Sequence, residues 1–206
     1  MKFTDSNHHN LIIEALSRHR PVLIDREGIR QASVALILRT FLGESEILFI
    51  RRAVSEKDPW SGQIAFPGGG KEELDAGLEQ TAIRETLEEV GISLDLQMII
   101  GRLDDLQGSN RNRALNLAIS CFVFHLEDNV PVAPNYEVAE VFWVPLGTLN
   151  DPKNHFHYRT SHRPEPFPAT RLGQGDNGQQ RVLWGLTYRF IQRFFEVVYA
   201  EDWGDG

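Results

Sequence analysis

Apolar and polar residues follow two different periods along the chain, and each period predicts one type of secondary structure. Apolar runs rich in Val and Ile occupy residues 32–38 and 47–50, with Gly43-Glu44 between them. Two such runs around a short glycine-containing segment predict an antiparallel hairpin. The same pattern predicts three further strands, at residues 96–100, 115–125 and 141–144.

Apolar residues three and four positions apart predict three helices. The first covers residues 11–18, and the second covers roughly 75–90, with Gly91 as its C-terminal stop. The third covers residues 182–198 and has one apolar stripe at Leu183, Leu186, Phe190, Phe194 and Val197 and another at Trp184, Tyr188, Ile191, Phe195 and Val198. A helix that is apolar over most of its circumference is either buried in its own domain or part of a homodimer interface.

Two segments have neither period and are predicted to be loops. Residues 58–70 contain Pro59, Gly62, Pro67 and three consecutive glycines. Residues 152–180 contain four Pro, three Gly and three His without sustained periodicity. A long structureless segment inside a domain is typically a functional lid or an insert.

The composition narrows the class of protein. The 206 residues suit one domain, and 21 basic against 29 acidic side chains give a formal net charge of −8. This balance disfavours nucleic acid or an anionic membrane as a partner, because both need a basic face. No apolar stretch reaches about 18 residues, the first ten residues do not resemble a signal peptide, and Cys121 lies in an apolar run as a reduced core thiol would, so we expect a cytoplasmic protein.

Three carboxylates share one face of the helix predicted at residues 75–90. Glu85, Glu88 and Glu89 are neighbours at these spacings, where like charges repel. The opposite face, predicted to pack on a sheet, consists of Ile83, Leu87 and Val90. Clustered carboxylates suit a hard cation such as Mg²⁺, although an ordinary solvated face has the same spacing. The glycine-rich segment Phe66-Pro67-Gly68-Gly69-Gly70 just before the helix favours the metal-binding interpretation.

The segment from Arg84 to Ile92 resembles the second half of the Nudix box. That pattern is Gly, five residues, Glu, seven residues, Arg-Glu, an apolar residue, any residue, Glu-Glu, any residue, Gly and an apolar residue. Here Gly70 is the leading glycine, Thr86 replaces the apolar residue, and Ala76 stands where the first Glu belongs. In the family this Glu pairs with the box Arg. If Asp75 replaces it, the register shifts by one residue and Gly69 becomes the leading glycine.

The resemblance implies an α+β protein with the Nudix fold, an α/β/α sandwich with a mixed central sheet. It implies a single Nudix hydrolase domain over residues 1–206, with an N-terminal helical extension at 1–31, a long loop at 152–180 and a C-terminal helix at 181–199. It also implies an enzyme that hydrolyses a diphosphate bond in a nucleoside diphosphate linked to another moiety.

The resemblance also implies the roles of several residues. The metal ligands for Mg²⁺ or Mn²⁺ would be Glu85, Glu88, Glu89 and the backbone carbonyl of Gly70 or Gly69. Arg84 would orient Glu85 or brace the loop against the helix. The number of metal ions stays open.

The general base is either a Glu of the box or an acid from a later loop. Glu137 and Glu140, just before the strand predicted at 141–144, are the candidates from that loop. The residues expected to bind substrate are Arg51, Arg52, Lys57, Gly68 and Gly69. Further candidates are Arg111 and Arg113 for phosphate, and Trp60, Phe156 or Tyr158 for an adenine. A zinc site at His155, His157 and His162 is disfavoured, because no Cys or acidic ligand has a suitable spacing.

Residues 48–69 partly resemble the upstream signature of the coenzyme A pyrophosphatase branch of this family. The matches include Arg52-Ala53, Gly62 and Phe66-Pro67-Gly68-Gly69, and Trp184-Gly185-Leu186-Thr187 looks like bacterial relatives of the branch. Ile50 replaces a Thr, Lys57 replaces an Arg, and one extra residue lies between Lys57 and Gly62. The favoured hypothesis is therefore metal-dependent hydrolysis of coenzyme A or a derivative. The alternative is a pyrophosphatase of ADP-ribose, nucleotide sugars or dinucleotides, while the three intact Glu disfavour a nucleotide sensor without turnover.

Overall fold

The computed structural model describes residues 6–55, 60–110, 113–127, 129–159, 165–176 and 178–200. The helices are α1 (Ser6–Arg18), α2 (Leu78–Val90), α3 (Leu146–Asn150) and α4 (Gly185–Tyr199). The strands are β1 (Arg30–Phe41), β2 (Glu44–Arg52), β3 (Ile64–Ala65), β4 (Gly68–Gly70), β5 (Ile99–Arg102), β6 (Leu106–Asn110), β7 (Arg113–Leu126), β8 (Val138–Pro145), β9 (His155–Tyr158), β10 (Phe167–Gln174) and β11 (Gln180–Trp184). No helix in these ranges is long and apolar enough to cross a membrane.

The central sheet is mixed and is covered by helices on both faces. Its strand order is β3-β2-β1-β7-β5, with β4 added to β1, β6 to β7 and β8 to β2. The β1 and β7 strands are parallel, and the other pairs are antiparallel. One apolar cluster packs α1 and α4 on one face of the sheet, and a second cluster packs α2 on the other face. The predicted α+β class and α/β/α layers are therefore confirmed.

The hairpin predicted between the first two apolar runs is present. Phe41 pairs with Glu44, so the loop has two residues, Leu42 and Gly43. Both have positive φ, 49° and 83°, which is the backbone of the tight turn that matches the twist of two antiparallel strands. The buried Cys121 in β7 is a free thiol, as expected from its apolar neighbours.

Several elements differ from the prediction. The 58–70 segment is not all loop, because it contains the short strands β3 and β4: β3 has only two residues, and the glycines of β4 carry no hydrophobic signal. The strand predicted at 96–100 begins only at Ile99, because Asp95 accepts hydrogen bonds from Gln97 N and Met98 N and so stabilises a 3₁₀ turn. Strand β6 was not predicted, since its polar sequence has no alternation.

The prediction of a structureless segment at 152–180 is wrong. After a 3₁₀ turn at Pro152–Asn154, this segment forms β9, β10 and the start of β11, a separate sheet of order β11-β10-β9. Leu172 and Leu183 from this sheet join the cluster on the α1 and α4 face. Each strand contributes few apolar residues, and the prolines interrupt their spacing, so the pattern becomes recognisable only once the strands pair.

The C-terminal helix begins at Gly185, later than the predicted 181 or 182. Leu183, predicted on its apolar stripe, is a buried residue of β11 instead. Helix α4 buries residues from both predicted stripes: Tyr188, Phe190, Ile191, Phe194, Phe195 and Val198. Its packing on α1 and the central sheet accounts for the apolar circumference, and the homodimer stays a prediction.

Candidate active site

Helix α2 is shorter at its start than predicted and ends where predicted. It runs from Leu78 to Val90, so the predicted residues 75–77 form the turn before it. Gly91 ends the helix with a φ of 72°, and its N–H donates to Leu87 O at 3.0 Å. Only glycine adopts this left-handed conformation without strain, which explains the stop signal.

The predicted inward face of α2 is correct for Ile83 and Val90, which pack in the apolar cluster on this side of the sheet, but wrong for Leu87. Leu87 is 52% exposed, whereas Glu89 is 2% exposed. The other buried residues are Thr81, Ala82, Thr86 and Val90. Small residues allow the helix to approach the glycine strand β4 closely, and this approach brings Glu89 inward. Thr86, which departs from the family pattern, fits the same face because its hydroxyl donates to Ala82 O at 2.7 Å.

Glu89 is a buried carboxylate held by the glycine strand. Its Oε2 accepts a hydrogen bond from Gly68 N at 2.9 Å, and its Oε1 lies 3.5 Å from Arg52 Nη1. Burial raises the pKa of Glu89 from 4.5 to about 7, against the opposing effects of the Gly68 N–H and Arg52. A carboxylate in this environment is poised to bind a cation or a proton.

Glu85 lies directly against Gly69. A Cβ atom on Gly69 would come within 2.4–2.7 Å of the carboxylate atoms of Glu85, so this position has no room for a side chain. At Gly70 a Cβ would meet nothing within 4 Å. Burial raises the pKa of Glu85, although Arg84 Nη1 donates to its Oε1 at 2.9 Å. The crowding at Gly69 agrees with the register in which Gly69 is the leading glycine.

Asp75 takes the place of the missing Glu of the box. It binds Arg84 through both carboxylate oxygens and also accepts hydrogen bonds from Thr81 Oγ1 and Glu72 N. These hydrogen bonds, above all those from Arg84, hold the pKa of Asp75 well below its usual range. Arg84 also donates to Gly70 O at 3.0 Å, so it ties the glycine segment to α2.

The donor set of the three predicted metal ligands suits a hard divalent cation. Glu85 and Glu89 are two mostly buried carboxylates with raised pKa values, so a positive charge beside them would be favourable. Glu88 is half-exposed and pairs with Arg84 Nη1 at 3.2 Å. Within the described ranges, no three His, Cys, Asp or Glu side chains converge on one point. The side-chain contacts show why: Arg84 engages Glu85 and Glu88, while Glu89 faces Gly68 and Arg52.

The two candidates for a later general base have different environments. Residues 133–137 lie along the end of α2, because Ala133 N and Asn135 N donate to Val90 O and Glu89 O. The exposed Glu137 is close enough to α2 that its charge contributes to the raised pKa of both Glu85 and Glu89. Glu140 instead accepts hydrogen bonds from Arg51 and Arg181, which lower its pKa, so it is an ion-pair partner rather than a base.

The predicted substrate residues divide between the two faces of the sheet. Arg52 lies beside Glu89 on the α2 face, whereas Arg51 pairs with Glu140 on the other face. Gly68, like Gly69, is a close-packing position, because a Cβ there would come within 2.3 Å of Ser33 O. Lys57 and Arg111 lie outside the described residues, as does the side chain of Arg113.

The aromatic candidates Phe156 and Tyr158 and the histidine candidate His155 lie in β9 of the small sheet. Tyr158 packs edge-on against Phe167, and Phe156 lies under the guanidinium of Arg171 at 4.0 Å. His155 Nε2 forms a hydrogen bond with Leu149 O, and His162 lies outside the described residues. Arg181, the second partner of Glu140, was not predicted as a site residue, because it lies where the predicted loop at 152–180 meets the predicted C-terminal helix. No spacing signal marks such a long-range pair.

Comparisons with known proteins agree with this architecture. A family model described as the NUDIX domain matches residues 29–163. An uncharacterised protein of Schizosaccharomyces pombe is 34% identical over 163 residues, which cover 66% of this chain and 48% of that protein. The chain thus spans about half the length of this relative. The uncharacterised Nudix hydrolase NudL of Pectobacterium atrosepticum is 28% identical over 172 residues, covering 80% of this chain and 81% of NudL. NudL of Yersinia pestis is 30% identical, covering 75% and 73%.

A solved structure has a similar fold. The MutT/nudix family protein from Enterococcus faecalis superposes with a TM-score of 0.59 at 17% sequence identity. The superposition covers 97% of this chain and 76% of that one. At this identity the likeness concerns the fold alone.

Proposed function

This chain belongs to the Nudix family of hydrolases, and from that premise we propose that it uses Mg²⁺ or Mn²⁺ to hydrolyse the diphosphate bond of coenzyme A or a derivative. One observation carries the proposal: the carboxylates of Glu85 and Glu89 are largely buried on α2, directly against the glycine strand β4. Glu88 follows on the same helix, one turn from Glu85. Nudix enzymes act on substrates with a nucleoside diphosphate, and this arrangement suits such a substrate.

The chemical difficulty is the charge of the diphosphate, which repels a nucleophile. A divalent cation held by Glu85, Glu88 and Glu89 would neutralise that charge and activate water. Burial raises the pKa of Glu85 and Glu89, so the neighbouring residues stabilise the ionised carboxylates only in part. A bound divalent cation would stabilise them further. We therefore assign these three Glu as metal ligands, and Gly70 or Gly69 as the source of a backbone carbonyl ligand.

The remaining residues have positioning and proton-transfer roles in this proposal. Arg84, fixed by Asp75, orients Glu85 and ties the glycine segment to α2. The carboxylate of Glu137 accepts the proton from the attacking water, because it is exposed and near the two buried Glu without a basic partner in the described residues. Arg52, beside Glu89, contacts a phosphate oxygen as the negative charge moves toward the leaving group.

The choice of coenzyme A rests on the signature around Phe66-Pro67-Gly68-Gly69 and on Trp184-Gly185-Leu186-Thr187. The glycines of the first segment form β4 of the central sheet, and Trp184 of the second ends β11 of the small sheet. The alternative substrates, ADP-ribose, nucleotide sugars and dinucleotides, share the diphosphate but differ in what is attached to it. The reaction class is therefore supported independently of the substrate.

The test is a hydrolysis panel with purified protein and Mg²⁺ or Mn²⁺. The panel contains coenzyme A, ADP-ribose, NADH, a diadenosine polyphosphate and nucleoside triphosphates, and mass spectrometry identifies the products. We expect coenzyme A to have the highest kcat/KM and to yield 4′-phosphopantetheine and adenosine 3′,5′-bisphosphate. A preference for ADP-ribose or a dinucleotide would replace the substrate and keep the reaction, whereas no turnover with any compound would overturn both.

A further inference from the structure

Two arginines share a single carboxylate on the face of the central sheet opposite α2. Arg51 Nε donates to Glu140 Oε2 at 3.0 Å, and Arg181 Nε donates to Glu140 Oε1 at 3.1 Å. The guanidinium of Arg181 also stacks on the ring of Phe142 at 4.0 Å. Two positive charges around one negative charge leave a local net charge of about +1. The three side chains are only 15–20% exposed, so this excess charge is poorly solvated.

The two guanidiniums have N–H groups to spare. Glu140 occupies the Nε of Arg51 and the Nε and Nη2 of Arg181. Among the described residues, no acceptor faces either terminal nitrogen of Arg51 or the Nη1 of Arg181. None of these nitrogens is among the fully buried polar atoms without a partner, so each keeps some contact with solvent although the side chains are mostly buried. Planar guanidinium groups with free, accessible N–H donors are typical of sites for phosphate or carboxylate.

The position of this pair relates it to the active site without making it part of the reacting centre. Arg51 and Arg52 are consecutive at the end of β2, so their side chains project to opposite faces of the sheet. Arg52 lies beside Glu89 on the α2 face, and Arg51 faces Arg181 on the other. A charged group bound between Arg51 and Arg181 would therefore be a different part of the substrate from the phosphorus that water attacks. Both parts would lie near the same end of β2.

We propose that Arg51 and Arg181 form a subsite for a phosphomonoester on the substrate, separate from its diphosphate. This inference rests on the proposed function and extends it to substrate selection. Coenzyme A carries such a phosphomonoester on its ribose, while ADP-ribose and NADH carry none. Glu140 holds the two guanidiniums in place, and the small sheet of β9–β11 supplies Arg181.

The test compares two ligands that differ in this group alone, adenosine 3′,5′-bisphosphate and adenosine 5′-monophosphate. Their dissociation constants are measured by isothermal titration calorimetry in EDTA, so that no divalent cation contributes. We expect the wild type to bind the bisphosphate about 10–100-fold more tightly, as two charge-assisted hydrogen bonds would give. The R181Q variant should lose most of this preference, and R181K, which keeps the charge without the planar fork, should retain an intermediate preference.

The matched control is R171Q. Arg171 lies on the adjacent strand β10, its guanidinium also stacks on an aromatic ring, and within the described ranges it has no carboxylate partner. R171Q should keep the wild-type preference for the bisphosphate. If R181Q lowers the melting temperature too far for titration, R181K decides the question alone. An equal affinity of wild type for the two ligands, or a preference unchanged in both Arg181 variants, would overturn the subsite.

A separate measurement keeps the two proposals distinguishable. Wild-type enzyme with Mg²⁺ is assayed on coenzyme A and on its form without the ribose phosphate. Hydrolysis of both at equal kcat/KM would retain the proposed reaction and overturn the subsite. A bisphosphate preference in calorimetry without hydrolysis of either compound would retain the subsite and overturn the proposed substrate.

Discussion

Asp75 accepts two parallel hydrogen bonds from Arg84, with Nε–Oδ1 and Nη2–Oδ2 distances of 3.0 Å each. Asp75 lies in the turn before α2, and Arg84 lies in the middle of the helix. The pair therefore fixes the entry of the helix and leaves Arg84 Nη1 free to contact Glu85 and Glu88. A residue one position away from the expected Glu thus forms the structural clamp of the site.

Replacing Asp75 with Asn should lower the free energy of unfolding by about 2–3 kcal/mol at neutral pH, because Arg84 loses a nearly buried ionic partner. Urea denaturation measures the change, and E73Q, an exposed acid in the same turn, should change it by less than about 0.5 kcal/mol. The folded pKa of Asp75 is lowered, so its stabilisation is complete above its usual value of 3.8 and is lost as the pH falls below it. A D75N effect that is the same in acid as at neutral pH would contradict this assignment.

Replacing Glu89 with Gln should stabilise the metal-free protein and abolish hydrolysis. The pKa of Glu89 is raised from 4.5 to about 7, so the ionised side chain destabilises the fold. This destabilisation is absent below pH 4.5, the ordinary pKa of the side chain, grows as the pH rises from 4.5 to about 7, and is complete above about pH 7. In EDTA, E89Q should be more stable than wild type by about 1–3 kcal/mol at pH 8 and equal to it near pH 4. Full activity of E89Q would remove Glu89 from the site.

The glycines of β4 should differ sharply in their tolerance of Ala. A Cβ at Gly69 would collide with the carboxylate of Glu85, a movable side-chain end, so G69A should displace Glu85 rather than unfold the protein. We expect kcat to fall by about tenfold or more, with a shift in melting temperature of only a few degrees. G70A, whose Cβ meets nothing within 4 Å, is the control and should retain activity. Equal loss of activity in both variants would contradict the assignment of Gly69 as the critical position.

Replacing Glu137 with Gln tests the general base. Loss of a base should reduce kcat by about 10²–10⁴-fold. The matched control is E127Q, an exposed carboxylate just after β7. If E137Q keeps a kcat similar to that of the wild type, the proton must go to a Glu of α2 instead.

The sequence alone determined the features that depend on local contacts. Positive-φ positions at Gly43 and Gly91 marked the hairpin and the helix end, and continuous apolar runs marked β1, β2 and β7. These signals are local because turn geometry and strand burial depend on residues near one another in the chain. The spacing of Glu85, Glu88 and Glu89 was likewise visible, since a helix fixes its own neighbours.

Which side chains of α2 turn inward, and which residues complete the site, depends on tertiary contacts. Hydrophobicity placed Leu87 inside and Glu89 outside, whereas close contact with a glycine strand exposed Leu87 and buried Glu89. Three other features were also not established from the sequence: the small sheet of β9–β11, the Asp75–Arg84 clamp and the contact of Arg181 with Glu140. Each joins residues that only folding brings together. Such contacts produce no periodic pattern of apolar and polar residues, so the sequence does not reveal them.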